Sequence, residues 1–145
     1  LTQKATSEGL GLSVEYFNLT NKSSGLDNIK LGDDIMISVT IENHMPLSLS
    51  NLALNYKVPS GWELINPRMY ETDIFNNKNN EYQYQDYRDD RVYTFFNMNS
   101  GSKKTIQFKA KAAFSGDFYL PAITCQHMYR GDISASTSTS RTVVK

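Results

Sequence analysis

Cysteine occurs once in these 145 residues, at Cys125, and that scarcity removes several chemistries at once. It excludes a disulfide within the chain and any zinc site built on several thiolates, while leaving cytosol, periplasm and cell surface all open. Long apolar runs are missing as well. No stretch of about eighteen apolar residues occurs, and the start Leu1-Thr2-Gln3-Lys4-Ala5-Thr6-Ser7 lacks the charged-then-apolar order of a signal peptide. The first residue is not Met, which favours a piece of a longer protein. Charge of one sign is absent too: fifteen basic and fifteen acidic side chains cancel and form no long block. Neither a nucleic-acid polyanion nor an anionic membrane is therefore an obvious partner, and with no long apolar run no direct membrane insertion is expected. No segment carries a helical period over twelve residues, and there is no internal repeat.

What is present is alternation. Ile35, Ile37, Val39 and Ile41 interleave with Met36, Ser38, Thr40 and Glu42, the period of a strand with one face buried. Leu52, Leu54, Tyr56 and Val58 repeat the pattern, stop at Pro59-Ser60-Gly61, and resume as Trp62 to Ile65. Ile106 to Phe114 alternates up to Ser115-Gly116-Asp117, after which Phe118, Leu120 and Ala122 begin another run, so this pair reads as a hairpin. Further strands are expected at Leu12 to Phe17, Val92 to Met98 and within Thr137 to Val144. Short strands separated by Gly, Pro, Asn and Ser about every ten residues indicate one all-β domain, an antiparallel β-sandwich of about seven to nine strands. Thr20 to Asn28 and Phe75 to Asn80 read as polar loops, the second as the more mobile.

Candidate sites are few. Cys125 and His127 share a face of one expected strand, as a nucleophile and base would, but such a thiol needs a helix N-terminus or a cation to lower its pKa and a third group to orient the imidazole, and no helix is available. Zinc would need two more ligands, and the only other histidine is His44. No metal and no cofactor are expected. Asp86, Asp89 and Asp90 hold enough oxygen for calcium, with Asp33 and Asp34 as possible contributors, yet Arg88 and Arg91 are interleaved with them. A carboxylate–guanidinium network of Arg88, Asp89, Asp90 and Arg91 bracing a loop is the preferred reading, and Arg91→Ala is expected to destabilise the domain. Tyr82, Tyr84, Tyr87, Tyr93, Phe95 and Phe96 form either a sugar-stacking platform or, by alternation, a half-buried sheet face. Asn18-Leu19-Thr20 and Asn21-Lys22-Ser23 match a glycosylation triplet that arises readily by chance in an Asn-rich chain.

The run Asp86-Tyr87-Arg88-Asp89-Asp90-Arg91-Val92-Tyr93-Thr94-Phe95-Phe96, then Gly116-Asp117-Phe118-Tyr119-Leu120-Pro121, then Met128-Tyr129, resembles the C-terminal macroglobulin-like domain of bacterial alpha-2-macroglobulins. The resemblance spans about forty-five residues, with the three elements in family order. It implies a non-catalytic domain at the end of a protease-trapping protein of the bacterial cell envelope, periplasmic or lipoprotein-anchored. Its implied partners are the thioester domain and other macroglobulin domains of the same chain, with target proteases met through the full-length protein. It further implies that Met128 and Tyr129 cover the thioester of that neighbouring domain, whereas strand alternation alone would turn one of them inward. The chain itself has no Cys-x-x-Gln, and Arg130-Gly131-Asp132 stands where family members continue with Asp-Pro. The alternative is a cell-surface adhesion or carbohydrate-binding sandwich.

Overall fold

The computed structural model describes residues 6–26, 29–65, 84–88, 90–130 and 132–145. The Phe75 to Asn80 loop, Tyr82, Asp89 and Gly131 lie outside the described residues. Among those described, thirteen strands form: β1 (Thr6–Glu8), β2 (Leu10–Asn18), β3 (Ser23–Ser24), β4 (Asp34–Asn43), β5 (Leu49–Lys57), β6 (Trp62–Ile65), β7 (Tyr84–Tyr87), β8 (Arg91–Met98), β9 (Lys103–Ala112), β10 (Gly116–Leu120), β11 (Thr124–His127), β12 (Ser134–Ser136) and β13 (Ser140–Val144). The count exceeds seven to nine, in large part because β1, β3 and β12, two or three residues long, add to ten longer strands. Runs that short carry no readable period.

One sheet has the order β1-β12-β11-β5-β8-β7 and the other β3-β2-β4-β9-β6, with β10 and β13 paired separately. All these pairings are antiparallel. β4 is the spine of its sheet, in unbroken register with β2 from Ile35↔Asn18 to Asn43↔Leu10 and with β9 from Asp34↔Lys111 to Glu42↔Lys103. Its alternation sends Ile35, Ile37, Val39 and Ile41 inward, each fully buried, and burial of a side chain that size contributes about 1.5–3 kcal/mol. They meet Leu52, Leu54, Tyr56, Val92 and Phe96 of the facing sheet in one cluster. Tyr56 of β5 stacks on Phe108 of β9 across the layers, ring centroids 4.8 Å apart and planes at 11°.

β9 and β10 do not form the hairpin that their alternation suggests. β9 pairs with β4 and β6, whereas β10 pairs with β13, Gly116↔Val144 through Leu120↔Ser140. The chain is diverted at Ala113 and Phe114, whose amides both donate to the Gly61 carbonyl, at 2.9 and 3.0 Å. Gly116 then takes φ +143°, a conformation that side-chain-bearing residues avoid. Phe114 is left 64% exposed instead of continuing the strand face. Phe118 folds back onto Gly61, where an added methyl group would overlap the ring, and Leu120 enters the core. Trp62 likewise does not prolong β5: β6 crosses to the other sheet beside β9, with its ring edge-on to Tyr16 at 6.1 Å.

Each rim is closed by a buried polar side chain. At one, the Asn43 amide nitrogen donates to the carbonyls of Leu47, Met98 and Asn99, and its oxygen accepts from the Met45 amide at 2.9 Å. At the other, the Asn18 amide donates to Asp33 Oδ2 at 2.9 Å and its oxygen accepts from the backbone of Thr20 and Asn21. Asn18 is fully buried with both polar ends engaged, so it does not present a glycosylation site.

Two outcomes follow from this packing. Gly61→Ala should lower stability by about 1–3 kcal/mol as Phe118 is forced off its seat, read as a lower denaturant midpoint at unchanged slope. Asp33 accepts hydrogen bonds from Asn18 and from the Lys30 amide, which hold its carboxyl below the ordinary 3.8. A depressed folded-state pKa stabilises above the unfolded value and is lost as pH falls through the folded one. Acid titration of stability below about pH 4 should therefore be shallower in Asp33→Asn than in the parent chain.

Candidate functional site

β11 and β5 run side by side with Cys125↔Leu54 and His127↔Leu52 in register, and Leu52 and Leu54 are core residues. β11 ends at His127, so the alternation that would turn one of its next two residues inward stops there. Met128 and Tyr129 lie on the turn to β12 and both point out, 49% and 76% exposed. Leu47, on the β4–β5 connection at the same rim, is also exposed. This rim gathers apolar side chains that the fold does not bury.

The backbone beneath them is held at every step. The Met128 amide donates to the Asn51 carbonyl at 2.9 Å, and the His127 amide to the Ile133 carbonyl at 3.0 Å. The amides of Tyr129 and Arg130 both donate to His127 Nδ1, each at 3.1 Å, and the Ile133 amide closes the turn on the Arg130 carbonyl. The His127 ring also meets the Tyr129 ring edge-on at 6.2 Å. Asn51 can offer its carbonyl because β5 carries an irregularity between Leu49 and Leu52. There Asn51 adopts φ 59°, a left-handed conformation that Asn tolerates better than most residues. Its own amide donates to the Asn97 side chain at 3.2 Å.

Cys125 and His127 do share a face, but they are not a catalytic pair. Cys125 is fully buried and burial pushes its thiol up to about 12, far from the thiolate a nucleophile needs. His127 Nδ1 is taken by two backbone amides. Arg130 and Asp132 pair with each other at 3.1 Å on the turn surface.

The charged run lies at the opposite rim. β5 pairs with His127 through Leu52 and with Arg91 through Lys57, roughly 17 Å apart at strand rise. Arg91 grips Asp90 through Nε and Nη2 at 2.9 and 3.0 Å, and Arg88 holds Asp86 at 2.9 Å. The Asp90 carbonyl accepts from the Val58 amide, and the Arg88 amide donates to the Arg91 carbonyl. The loop is thus pinned by its backbone, while its ion pairs are largely in solvent and worth little individually. Tyr87, Arg88, Asp90, Arg91 and Tyr93 line an open groove of about 510 Å³. Asp33 and Asp34 are committed to Asn18 and Lys111. No group of three or more His, Cys, Asp or Glu able to hold a metal occurs among the described residues. Along β8 the alternation buries Phe96 and leaves Tyr93 and Phe95 half-buried, a sheet face and not an exposed aromatic row.

The profile of the bacterial alpha-2-macroglobulin MG10 domain matches residues 9–132. The chain belongs to that family. It is 33% identical over 127 residues to the alpha-2-macroglobulin of Rickettsia conorii, a match covering 84% of this chain and 6% of that protein. The chain therefore spans a small fraction of that relative's length. Among solved structures, Salmonella alpha-2-macroglobulin reacted with methylamine superposes with a TM-score of 0.84 at 18% identity, over 100% of this chain and 10% of that one. Native Escherichia coli alpha-2-macroglobulin, from domain MG7 to the C-terminus, gives 0.83 at 17% identity over 97% of this chain and 24% of that one. At such identity the likeness is one of fold, and it agrees with the all-β sandwich.

Sequence reasoning named Met128 and Tyr129 but missed what positions them, namely the Asn51 carbonyl and the His127 ring. Asn51→Ala should cost about 1 kcal/mol through its left-handed backbone, while Asn51→Gly should cost less. Equal losses in thermal unfolding of the two variants would show that the backbone conformation is not what Asn51 supplies.

Proposed function

We propose that this domain works without catalysis inside a much larger bacterial macroglobulin, where its Met128–Tyr129 turn packs on a neighbouring domain and shields a thioester from water. The observation that carries the reading is the pairing of two exposed apolar side chains with a backbone whose amides are hydrogen-bonded from His127 through Arg130. A thioester is hydrolysed when wet, and a polarizable Met beside a broad Tyr ring makes a dry cover with one polar tip. A cover must also keep its shape before it docks, because ordering it on contact would consume the affinity it supplies. The bonds to Asn51 and His127 meet that need.

The other parts of the reading follow from it. The domain's direct partners are the thioester domain and sister macroglobulin domains of the same parent, and target proteases are met only through the whole protein. The parent belongs in the bacterial cell envelope, where foreign proteases arrive. The charged run at the far rim braces the β7–β8 connection and takes no part in shielding. Membership of the alpha-2-macroglobulin family supports this assignment, as does the Salmonella relative having been crystallised after reaction with methylamine, a small amine of the kind that opens thioesters.

Replacing both Met128 and Tyr129 with Ala in the full-length parent should speed loss of the thioester by about tenfold or more, followed as methylamine uptake or free-thiol release, while this domain stays folded. A tenfold change corresponds to about 1.4 kcal/mol of lost protection. Unchanged kinetics would remove the shielding role.

A further inference from the structure

We propose that His127 is the positioning residue of the Met128–Tyr129 turn, and that its neutral imidazole, accepting two backbone amides at once, makes the order of this turn depend on pH. The inference rests on the shielding role for its consequence, but its physical basis is local and separate.

The chemistry of the imidazole ring leaves one arrangement. Nδ1 receives N–H bonds from Tyr129 and from Arg130, both at 3.1 Å. A nitrogen that accepts cannot carry a proton, so the ring is neutral with its hydrogen on Nε2. Protonation converts Nδ1 into a donor facing two donors, and both bonds are lost together. Among the described residues nothing else receives these two amides, whereas the Met128 amide is held independently by the Asn51 carbonyl. The loss is therefore confined to the residues that aim the Tyr129 ring.

Among the described residues of the turn no other group takes over as acceptor. Arg130 and Asp132 are engaged with one another; the Arg130 hydrogen bond first, and the nearby His127 charge to a smaller degree, hold the Asp132 carboxyl below its ordinary range, so Asp132 is the carboxylate that faces the imidazole. Of the strands flanking His127, β5 presents Leu52 opposite it, and β12 contains only Ser and Ala. Glu8 of β1 lies opposite Ser134 in register. From the other sheet the same rim carries Glu42, His44 and Lys103, which pair among themselves at 3.0 and 3.5 Å. On the inner face of β11 the remaining titratable group is the buried Cys125 thiol.

Protonation of the ring is what removes this acceptor, so acid is the condition that would loosen the turn. Asn is the informative replacement, because its side-chain oxygen accepts backbone amides in the same short-range manner but does not titrate.

The test is residue-resolved hydrogen exchange in the full-length parent at pH 7.5 and pH 5, comparing wild type, His127→Asn and His127→Ala at equal pH. At pH 7.5 the Tyr129 and Arg130 amides of wild type and His127→Asn should be protected about fivefold to tenfold over His127→Ala, the equivalent of one hydrogen bond. At pH 5 the wild type should fall to the His127→Ala level while His127→Asn keeps its protection, and the Met128 amide should stay protected throughout. Wild type and His127→Asn changing alike with pH would overturn the proposal, even if His127→Ala does not fold. Thioester loss in the same samples separates the two ideas: an effect on amide exchange without one on methylamine uptake would sustain the cap and defeat the shield.

Discussion

The unbroken register of β4 with strands on both sides is the constraint from which the rest of the molecule follows. Because side chains alternate along a strand, slipping either neighbour by one residue would turn its whole apolar set toward solvent. Ile35, Ile37, Val39 and Ile41 would then lose their partners in β2 and β9 together with the facing sheet. Two polar side chains mark where that register starts and stops. Asn18, opposite Ile35, ties the β2 end to Asp33, and Asn43, opposite Leu10, ties the β4 end to the carbonyls of Leu47 and Asn99. Such buried amides are costly unless every bond is made. They therefore select one register even though the apolar pattern alone would tolerate others of the same parity.

With the register set, the two rims are free to differ. At one, charge is spent on the surface: Arg88, Asp90 and Arg91 decorate a loop whose position is already determined by the Val58 and Arg88 backbone bonds. At the other, apolar area is left uncovered over a turn that the protein takes trouble to hold. The Met-Tyr pair carries no charge and contributes nothing to the core, yet it draws on a left-handed Asn51 and on the His127 ring.

Period-two alternation made β4 and β8 legible almost to the residue, and β5 and β9 to within about three residues at their ends, since each buries one face and exposes the other. The β9–β10 connection was misread because Ser115-Gly116-Asp117 has the local chemistry of a hairpin. Its outcome was decided by contacts far away in sequence, the Gly61 carbonyl and the β13 ladder. The same limit hid the site's supports. A side chain that accepts a backbone hydrogen bond leaves no periodic trace, so Asn51 and His127 look like ordinary polar residues in strands. The one available signal was their placement, an Asn interrupting Leu49 to Leu54 and a His directly before two residues that no strand face would keep together.

That placement bears on why we propose the exposed pair as an interface and not as incomplete burial. Scattered exposed apolar residues are common and usually sit on flexible segments that can fold down over one another. Here folding down is prevented, because His127, Met128, Tyr129 and Arg130 each have their amide engaged, and fixing a residue's backbone costs about 1–2 kcal/mol of conformational entropy. A fold that bears this cost for no core contact gains it back only when something dry lands on the turn. The rigidity of the backbone, more than the hydrophobicity of Met128 and Tyr129, is thus the physical argument for a partner surface.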